Sequence, residues 1–114
     1  MNINTPGHSY ELAASHAGDN HQTLKFVEQT LEHSKIKDPK TGQPASPPKL
    51  VVKTQGTKST EVLQAVLDRL GFMYSRVSHI QVLLAAHHVE LALLQLQTLE
   101  EGMKQQGVEN PPVI

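Results

Sequence analysis

The sequence predicts an α+β protein in which a short antiparallel β-ribbon packs on a long C-terminal helical hairpin, and the copies associate into oligomers. Three observations favour this class. Apolar residues recur at helical spacing through residues 59–107. Two short segments, 23–28 and 49–54, alternate around β-prone centres, and a Pro-rich segment separates them. One domain is expected from 114 residues, with a lean aliphatic core because the chain has two Phe, two Tyr and no Trp.

The segments before the helices have a different composition. Residues 1–21 contain scattered Gly, Ser and His, so we expect a flexible N-terminal arm with order only near residues 10–13. Residues 22–57 are expected to form the β-ribbon, with a loop whose prolines exclude helix. Because a two-stranded ribbon is marginal alone, we expect it to lie on the helices. Residues 108–114 are expected to be a C-terminal tail.

The helical part, residues 58–107, is expected to bend. A continuous helix of this length would extend about 70 Å, too long for one small domain to cover. The polar segment 74–79 is the predicted bend, although it contains neither Pro nor Gly. Ser59 or Thr57 is expected to cap the first arm, and Gly107 is the expected end of the second.

The second arm is apolar on most of its circumference. A single partner helix cannot enclose such an arm, so the pattern predicts association between copies of the chain.

Charge and composition exclude several classes of protein. The formal net charge is -1 and no broad basic stripe is present, which argues against binding a nucleic-acid polymer. With no cysteine, disulfide and thiol chemistry are excluded. The N-terminus resembles no targeting signal, and no run reaches the expected length of a membrane span. A cytoplasmic protein is therefore expected.

No catalytic or metal-binding pattern is recognisable. His87 and His88 are adjacent, hence about 100° apart on a helix, and no HExxH-like pair exists, so we interpret the seven histidines as solvated or interface residues. No nucleophile elbow, P-loop or GxGxxG is present. The sequence predicts a protein that is not an enzyme and has neither metal nor cofactor.

Positive charges are few in the helical part. Among them are Arg69, Arg76 and Lys104. An arginine near the predicted bend, beside Phe72 and Tyr74, would offer a guanidinium and rings to a phosphate and a base. The ordinary alternative for Arg69 is a surface ion pair with Asp68, and that for Phe72 is a core position. Residues 57–60 form either a simple cap or an anion-binding helix start.

Several short motifs occur in the order seen in a family of small phage proteins. They are Tyr10-Glu11-Leu12-Ala13, Gln22-Thr23-Leu24-Lys25-Phe26-Val27-Glu28, Gly56-Thr57-Lys58-Ser59-Thr60-Glu61-Val62-Leu63, Leu67-Asp68-Arg69-Leu70-Gly71-Phe72, Val89-Glu90-Leu91-Ala92-Leu93-Leu94-Gln95-Leu96 and Gln106-Gly107-Val108-Glu109-Asn110. Over most of residues 10–110 the chain resembles the phage Thoeris anti-defence sponges, whose helical hairpin is shared with the anti-CBASS sponges.

The resemblance implies a non-enzymatic protein of the host cytoplasm that sequesters an immune signalling nucleotide without cleaving it. The family's ligands are cyclic ADP-ribose isomers and, in hexameric members, cyclic di- or trinucleotides. We therefore expect a small-molecule nucleotide as partner, a homo-oligomer of two to six copies, and neither membrane nor polymeric nucleic acid.

On this resemblance, the expected ligand-binding residues fall into three groups. The aromatic rings of Phe72 and Tyr10 would stack on the base or support the pocket. The basic side chains of Arg69, Arg76 and Lys104 would contact phosphates. The helix start, with Thr57, Ser59 and Thr60, would bind an anion. In the closing run, residues 97–106, one lysine stands where the family has several arginines, so two alternatives stay open: a different or less charged signal, or a chain that keeps only the family's scaffold. The alternative is a structural or adaptor hairpin that binds a protein through its apolar second arm.

Overall fold

The computed structural model describes residues 1–16, 18, 20–32, 37, 39–42, 49–107 and 112–114. The described chain contains two antiparallel sheets and two helices, so the α+β class is confirmed. It divides into two compact units, Met1–Gly56 with Glu109–Val113, and Thr57–Val108 with Ile114. The expected packing of the ribbon on the hairpin stays a prediction.

The first unit begins with a three-stranded sheet that the sequence analysis did not predict. Strands β1 (Asn2–Thr5), β2 (Ser9–Leu12) and β3 (Gln22–Lys25) pair antiparallel in that order. Pro6 and Gly7, the latter at φ 79°, form the turn between β1 and β2, and the His8 N–H donates to the Thr5 carbonyl at 3.0 Å. This is the chemistry of a type II turn. The expectation of a loose arm over residues 1–21 is therefore wrong for its two strands.

The second sheet contains the predicted ribbon strand with a different partner. Strand β5 (Lys49–Thr54) lies where the sequence placed it, but it pairs antiparallel with β4 (Glu28–Glu32). The predicted strand at 23–28 is split, because its first part belongs to β3. Register shifts between Glu28 and Gln29, where the Glu28 carboxylate lies 3.7 Å from the Lys53 ammonium.

Backbone approaches closely between the two sheets. A Cβ built on Gly56 would lie 2.5 Å from the Phe26 carbonyl carbon and 2.7 Å from two backbone oxygens. Real Cβ atoms essentially never lie at such distances, so any larger residue at position 56 would force the backbone near Phe26 to shift.

The predicted helical hairpin is confirmed as two helices, α1 (Ser59–Arg76) and α2 (Ile80–Gln105). The break falls at residues 77–79, inside the predicted polar segment. His79 begins α2 as its N-cap, because its ring Nδ1 accepts the Gln81 N–H at 3.1 Å. Gly107, at φ 70°, follows the end of α2 as expected.

The start of α1 differs from the expectation. Lys58 is the N-cap residue and makes no side-chain cap hydrogen bond, so the predicted capping by Ser59 or Thr57 is wrong. The Lys58 ammonium donates instead to Glu100 at 3.0 Å. This ion pair joins the start of α1 to the last part of α2, as expected for two antiparallel helices.

Few apolar side chains of the described residues are enclosed. Leu93, on α2, is the buried hydrophobic residue, at 6% exposure, whereas the hairpin leaves large apolar side chains exposed. Helix α2 is also long and apolar enough to cross a membrane by length and composition alone, with a mean hydropathy of 1.3. The expectation that no run reaches the length of a membrane span is therefore wrong as a statement about length.

Candidate functional site

Two arginines surround one aromatic ring on α1. The guanidinium carbon of Arg69 lies 5.4 Å from the centroid of the Phe72 ring, and that of Arg76 lies 5.1 Å from it. Residues three, four and seven apart share one face of a helix, so the spacing of 69, 72 and 76 places them together. We call these three residues the Arg-Phe-Arg cluster.

The cluster is open to solvent. The Phe72 ring is 48% exposed, and both arginine side chains are exposed. Phe72 is thus not the core residue that the ordinary interpretation expected. Each cation over a ring at such a site contributes about 0.5–1 kcal/mol, enough to bias the orientation of a guanidinium without fixing it.

Both guanidinium groups retain their capacity to bind an anion. Among the described residues neither forms an ion pair with a carboxylate, so the expected surface pair between Asp68 and Arg69 is not formed. Contact with a ring face leaves the N–H donors of arginine available, and these match carboxylate or phosphate oxygens in a fork. The cluster can therefore offer two sets of donors to one anionic molecule.

The predicted helix-start site is occupied by the chain's own groups. Thr60 is buried, and its hydroxyl donates to the backbone oxygen of Ile114 at 3.3 Å. Lys58 is paired with Glu100. Thr57 and Ser59 are half-buried. An anion arriving at this helix start would have to replace an internal oxygen acceptor.

The structure separates this helix start from the Arg-Phe-Arg cluster. About 20 Å of helix lies between Ser59 and Phe72. Lys104 is in the last turn of α2, one turn beyond Glu100, and so belongs to the end of the hairpin where Lys58 lies. Within one chain, Lys104 does not join Arg69 and Arg76.

Tyr10 lies on β2, in the first unit. Its half-buried ring packs against the edge of Phe26, with ring centroids 6.0 Å apart and planes at 83°. Of the eight residues predicted to bind a ligand, the structure therefore brings three together in the cluster and three at the helix start. It places Lys104 at the end of the hairpin near that start, and Tyr10 in a separate aromatic pair.

The histidine pair on α2 provides little chemistry. The His87 and His88 rings are 6.1 Å apart at 54°. Among the described residues no group of three His, Cys, Asp or Glu side chains could hold a metal ion.

Two shallow depressions lie elsewhere on the described surface. One, of about 350 Å³, is lined by Leu12, Ala13, Ala14, Ser15, Asn20 and Gln22. The other, of about 500 Å³, is lined by Gln97, Thr98, Glu101, Gly102 and Gln105. None of the eight predicted ligand-binding residues lines either depression.

Sequence reasoning missed the ion pair between Lys58 and Glu100. A signal for it existed, because residues 58 and 100 are equally distant from His79, where the structure reverses the chain. The contact between Thr60 and Ile114 has no comparable local signal, since it joins residues 54 positions apart across a tail.

The fold is α+β, and its helical hairpin presents an exposed face on which two guanidinium groups lie over one aromatic ring. No protein-family model, curated protein or solved structure matches the chain.

Proposed function

We propose that this protein is a non-enzymatic sponge of the host cytoplasm, which binds and sequesters an immune signalling nucleotide without cleaving it. The proposed ligands are a cyclic ADP-ribose isomer or a cyclic oligonucleotide. The observation that supports this proposal is the Arg-Phe-Arg cluster, because it combines an exposed ring with two guanidinium groups that form no ion pair with any carboxylate of the described residues. Phosphates and a base require those two kinds of group.

The Arg-Phe-Arg cluster alone is open to solvent and would leave most of a bound nucleotide uncovered. A nucleotide sponge needs a site that covers most of its ligand, and such sites are concave. The proposal therefore includes a homo-oligomer of two to six copies, in which a neighbouring chain closes the space over Phe72. Assembly would also allow Lys104 of one copy, or Tyr10, to approach the cluster of another.

Tight binding is part of the proposal, because a sponge must compete with the receptor of the signal. Submicromolar dissociation constants correspond to more than about 8 kcal/mol of binding free energy. Hydrogen bonds to charged groups contribute about 1.5–3 kcal/mol each, so two arginines supply a substantial share of that energy.

Isothermal titration calorimetry with glycocyclic ADP-ribose, cyclic dinucleotides and cyclic trinucleotides tests the proposal. We expect a saturable isotherm with at least one of them, and recovery of the intact nucleotide after heat denaturation of the complex. Absence of heat with every nucleotide, in protein whose helical circular dichroism is intact, would remove the sponge proposal. Recovery of a cleaved product would replace it with an enzyme.

A second function, a structural or adaptor hairpin, is favoured by a different observation. Leu84, Leu91 and Leu94 on α2 are 44–56% exposed, which is the kind of surface that binds another protein. This function predicts a purified chain that remains monomeric or requires a protein partner for stability. The sponge proposal predicts a closed symmetric oligomer that forms unaided. Measurement of molar mass in solution separates the two.

A further inference from the structure

The outward face of α2 carries an apolar stripe. Helix α2 packs on α1, and its half-buried residues Val82, Ala86, Val89, Ala92 and Leu96 lie with the buried Leu93 on one side. Successive residues of a helix are 100° apart, so the opposite side contains four exposed apolar residues. They are Ile80, Leu84, Leu91 and Leu94, at 57%, 45%, 44% and 56% exposure.

The spacing along this stripe alternates between four and three residues. It runs through positions 80, 84, 87, 91, 94 and 98, and we call these six residues the α2 seam: Ile80, Leu84, His87, Leu91, Leu94 and Thr98. From position 80 to position 94 the spacing averages 3.5 residues, which is the repeat by which two helices pack side by side along their lengths. The seam therefore has the periodicity of a helix that faces another helix.

Residues beside the seam are mostly polar. Gln81, His88 and Gln95 follow it on one side, and Glu90 and Gln97 on the other, with Leu83 as the exception. Helix pairs have polar residues at these flanking positions, whereas a helix facing lipid is apolar there as well. The arrangement thus favours a helix over a bilayer as the occupant of the stripe.

We infer that the α2 seam binds the same seam of a second copy of this chain, so that two hairpins form a four-helix arrangement with two-fold symmetry. A surface that pairs with itself must present compatible residues to its own image. The seam meets that condition, because its apolar positions lie on both sides of His87 and the stretch from Ile80 to Leu94 can overlap its own copy. The stripe then assigns one interface of the proposed oligomer, and in that respect the inference rests on the proposed function.

The size of the seam sets the expected strength of the pairing. From Ile80 to Thr98 the helix extends about 27 Å, and with a helix about 10 Å wide the seam offers roughly 300 Å² per copy. Standard interfaces use about 800 Å² per partner. The seam alone therefore predicts a weak pair whose population depends on protein concentration.

Molar mass measured by light scattering after size exclusion, over about 1 μM to 1 mM protein, tests this inference. We expect the wild-type mass to rise with concentration, and the double variant Leu91→Glu/Leu94→Glu to raise the dissociation constant of the pair more than about 10-fold. The matched control is Leu31→Glu on β4, because Leu31 and Leu94 are equally exposed, at 56%. Leu31→Glu should leave the dissociation constant within about two-fold.

Three outcomes would overturn the inference. They are a wild-type chain that stays monomeric throughout the range, a double variant that associates like the wild type, and co-sedimentation of the wild type with phosphatidylcholine vesicles that the double variant loses. Circular dichroism establishes that each variant retains its helices. Failure of the seam inference can be distinguished from failure of the sponge proposal. A chain that pairs through the seam but binds no nucleotide contradicts only the sponge proposal.

Discussion

Gly56 and Gly71 should respond in opposite directions to the same substitution. A Cβ at position 56 would lie 2.5 Å from the Phe26 carbonyl carbon, where ordinary contacts begin near 3.4 Å, so the backbone must shift by about 0.9 Å. A Cβ at position 71, inside α1, meets nothing within 4 Å. We expect Gly56→Ala to lower the free energy of unfolding by about 1–3 kcal/mol, the range for overpacking against atoms that cannot move aside.

Gly71→Ala should raise the free energy of unfolding by about 0.8–1 kcal/mol, because alanine loses less backbone entropy than glycine in a helix interior. Urea unfolding followed by circular dichroism measures both variants in parallel. In a chain of this size, 1 kcal/mol corresponds to about 4 °C in Tm, so the pair should differ by at least about 7 °C. A Gly56→Ala protein as stable as the wild type would refute the close approach to Phe26. A destabilised Gly71→Ala protein would show that this part of α1 is covered.

Three further predictions concern side chains of the hairpin. Replacing Arg69 and Arg76 with alanine should weaken nucleotide binding at least about 100-fold in calorimetry, because two sets of charged donors are lost. The control Lys25→Ala/Lys53→Ala removes as much charge from the sheets and should change the dissociation constant less than about three-fold. Equal losses in the two variants would mean that total charge alone governs binding. His79→Ala should cost about 1 kcal/mol in urea unfolding because the α2 cap acceptor is removed, and His79→Asn should restore most of it, so equal losses in the two variants would contradict a capping role. A double-mutant cycle with Lys58→Ala and Glu100→Ala should give a coupling energy below about 1 kcal/mol, since the two side chains are 41% and 33% exposed, and a larger value would require a site less solvated than this one.

Local sequence patterns predicted the helices, whereas the pairing of strands distant in sequence could not be predicted from such patterns. The 3.6-residue spacing located both helices, and the polar segment 74–79 located the bend, because helix burial and solvation are read within a few residues. The strand at 49–54 was predicted for the same reason. The partner of this strand was predicted wrongly, because alternation identifies a strand but not the strand that pairs with it. Residues 23–28 were assigned as the partner, whereas the structure pairs β5 with β4.

Two other misses have separate physical causes. Thr5, Pro6, Gly7 and His8 form a turn signal that the small and polar composition of residues 1–21 obscured. The capping of α1 failed because Ser59 is already helical and Thr57 lies too early, which leaves Lys58 at the cap. For the candidate site, the sequence placed an arginine beside Phe72 near the bend, and the helical spacing of positions 69, 72 and 76 explains why the structure groups these three residues on one face of α1. The positions of Tyr10 and Lys104 depend on tertiary structure that no short motif encodes.

The sparse enclosure of apolar groups, with Leu93 as the buried hydrophobic residue of the described chain, has a thermal consequence. The heat capacity that a protein gains on melting comes from apolar groups newly wetted. A single copy exposes few additional apolar groups on unfolding, so its heat-capacity change of unfolding should fall below the usual value of about 12–15 cal/mol/K per residue. The free energy of unfolding of a single copy should then vary little between cold and warm conditions, and in the proposed oligomer dissociation of the copies would supply most of the curvature with temperature.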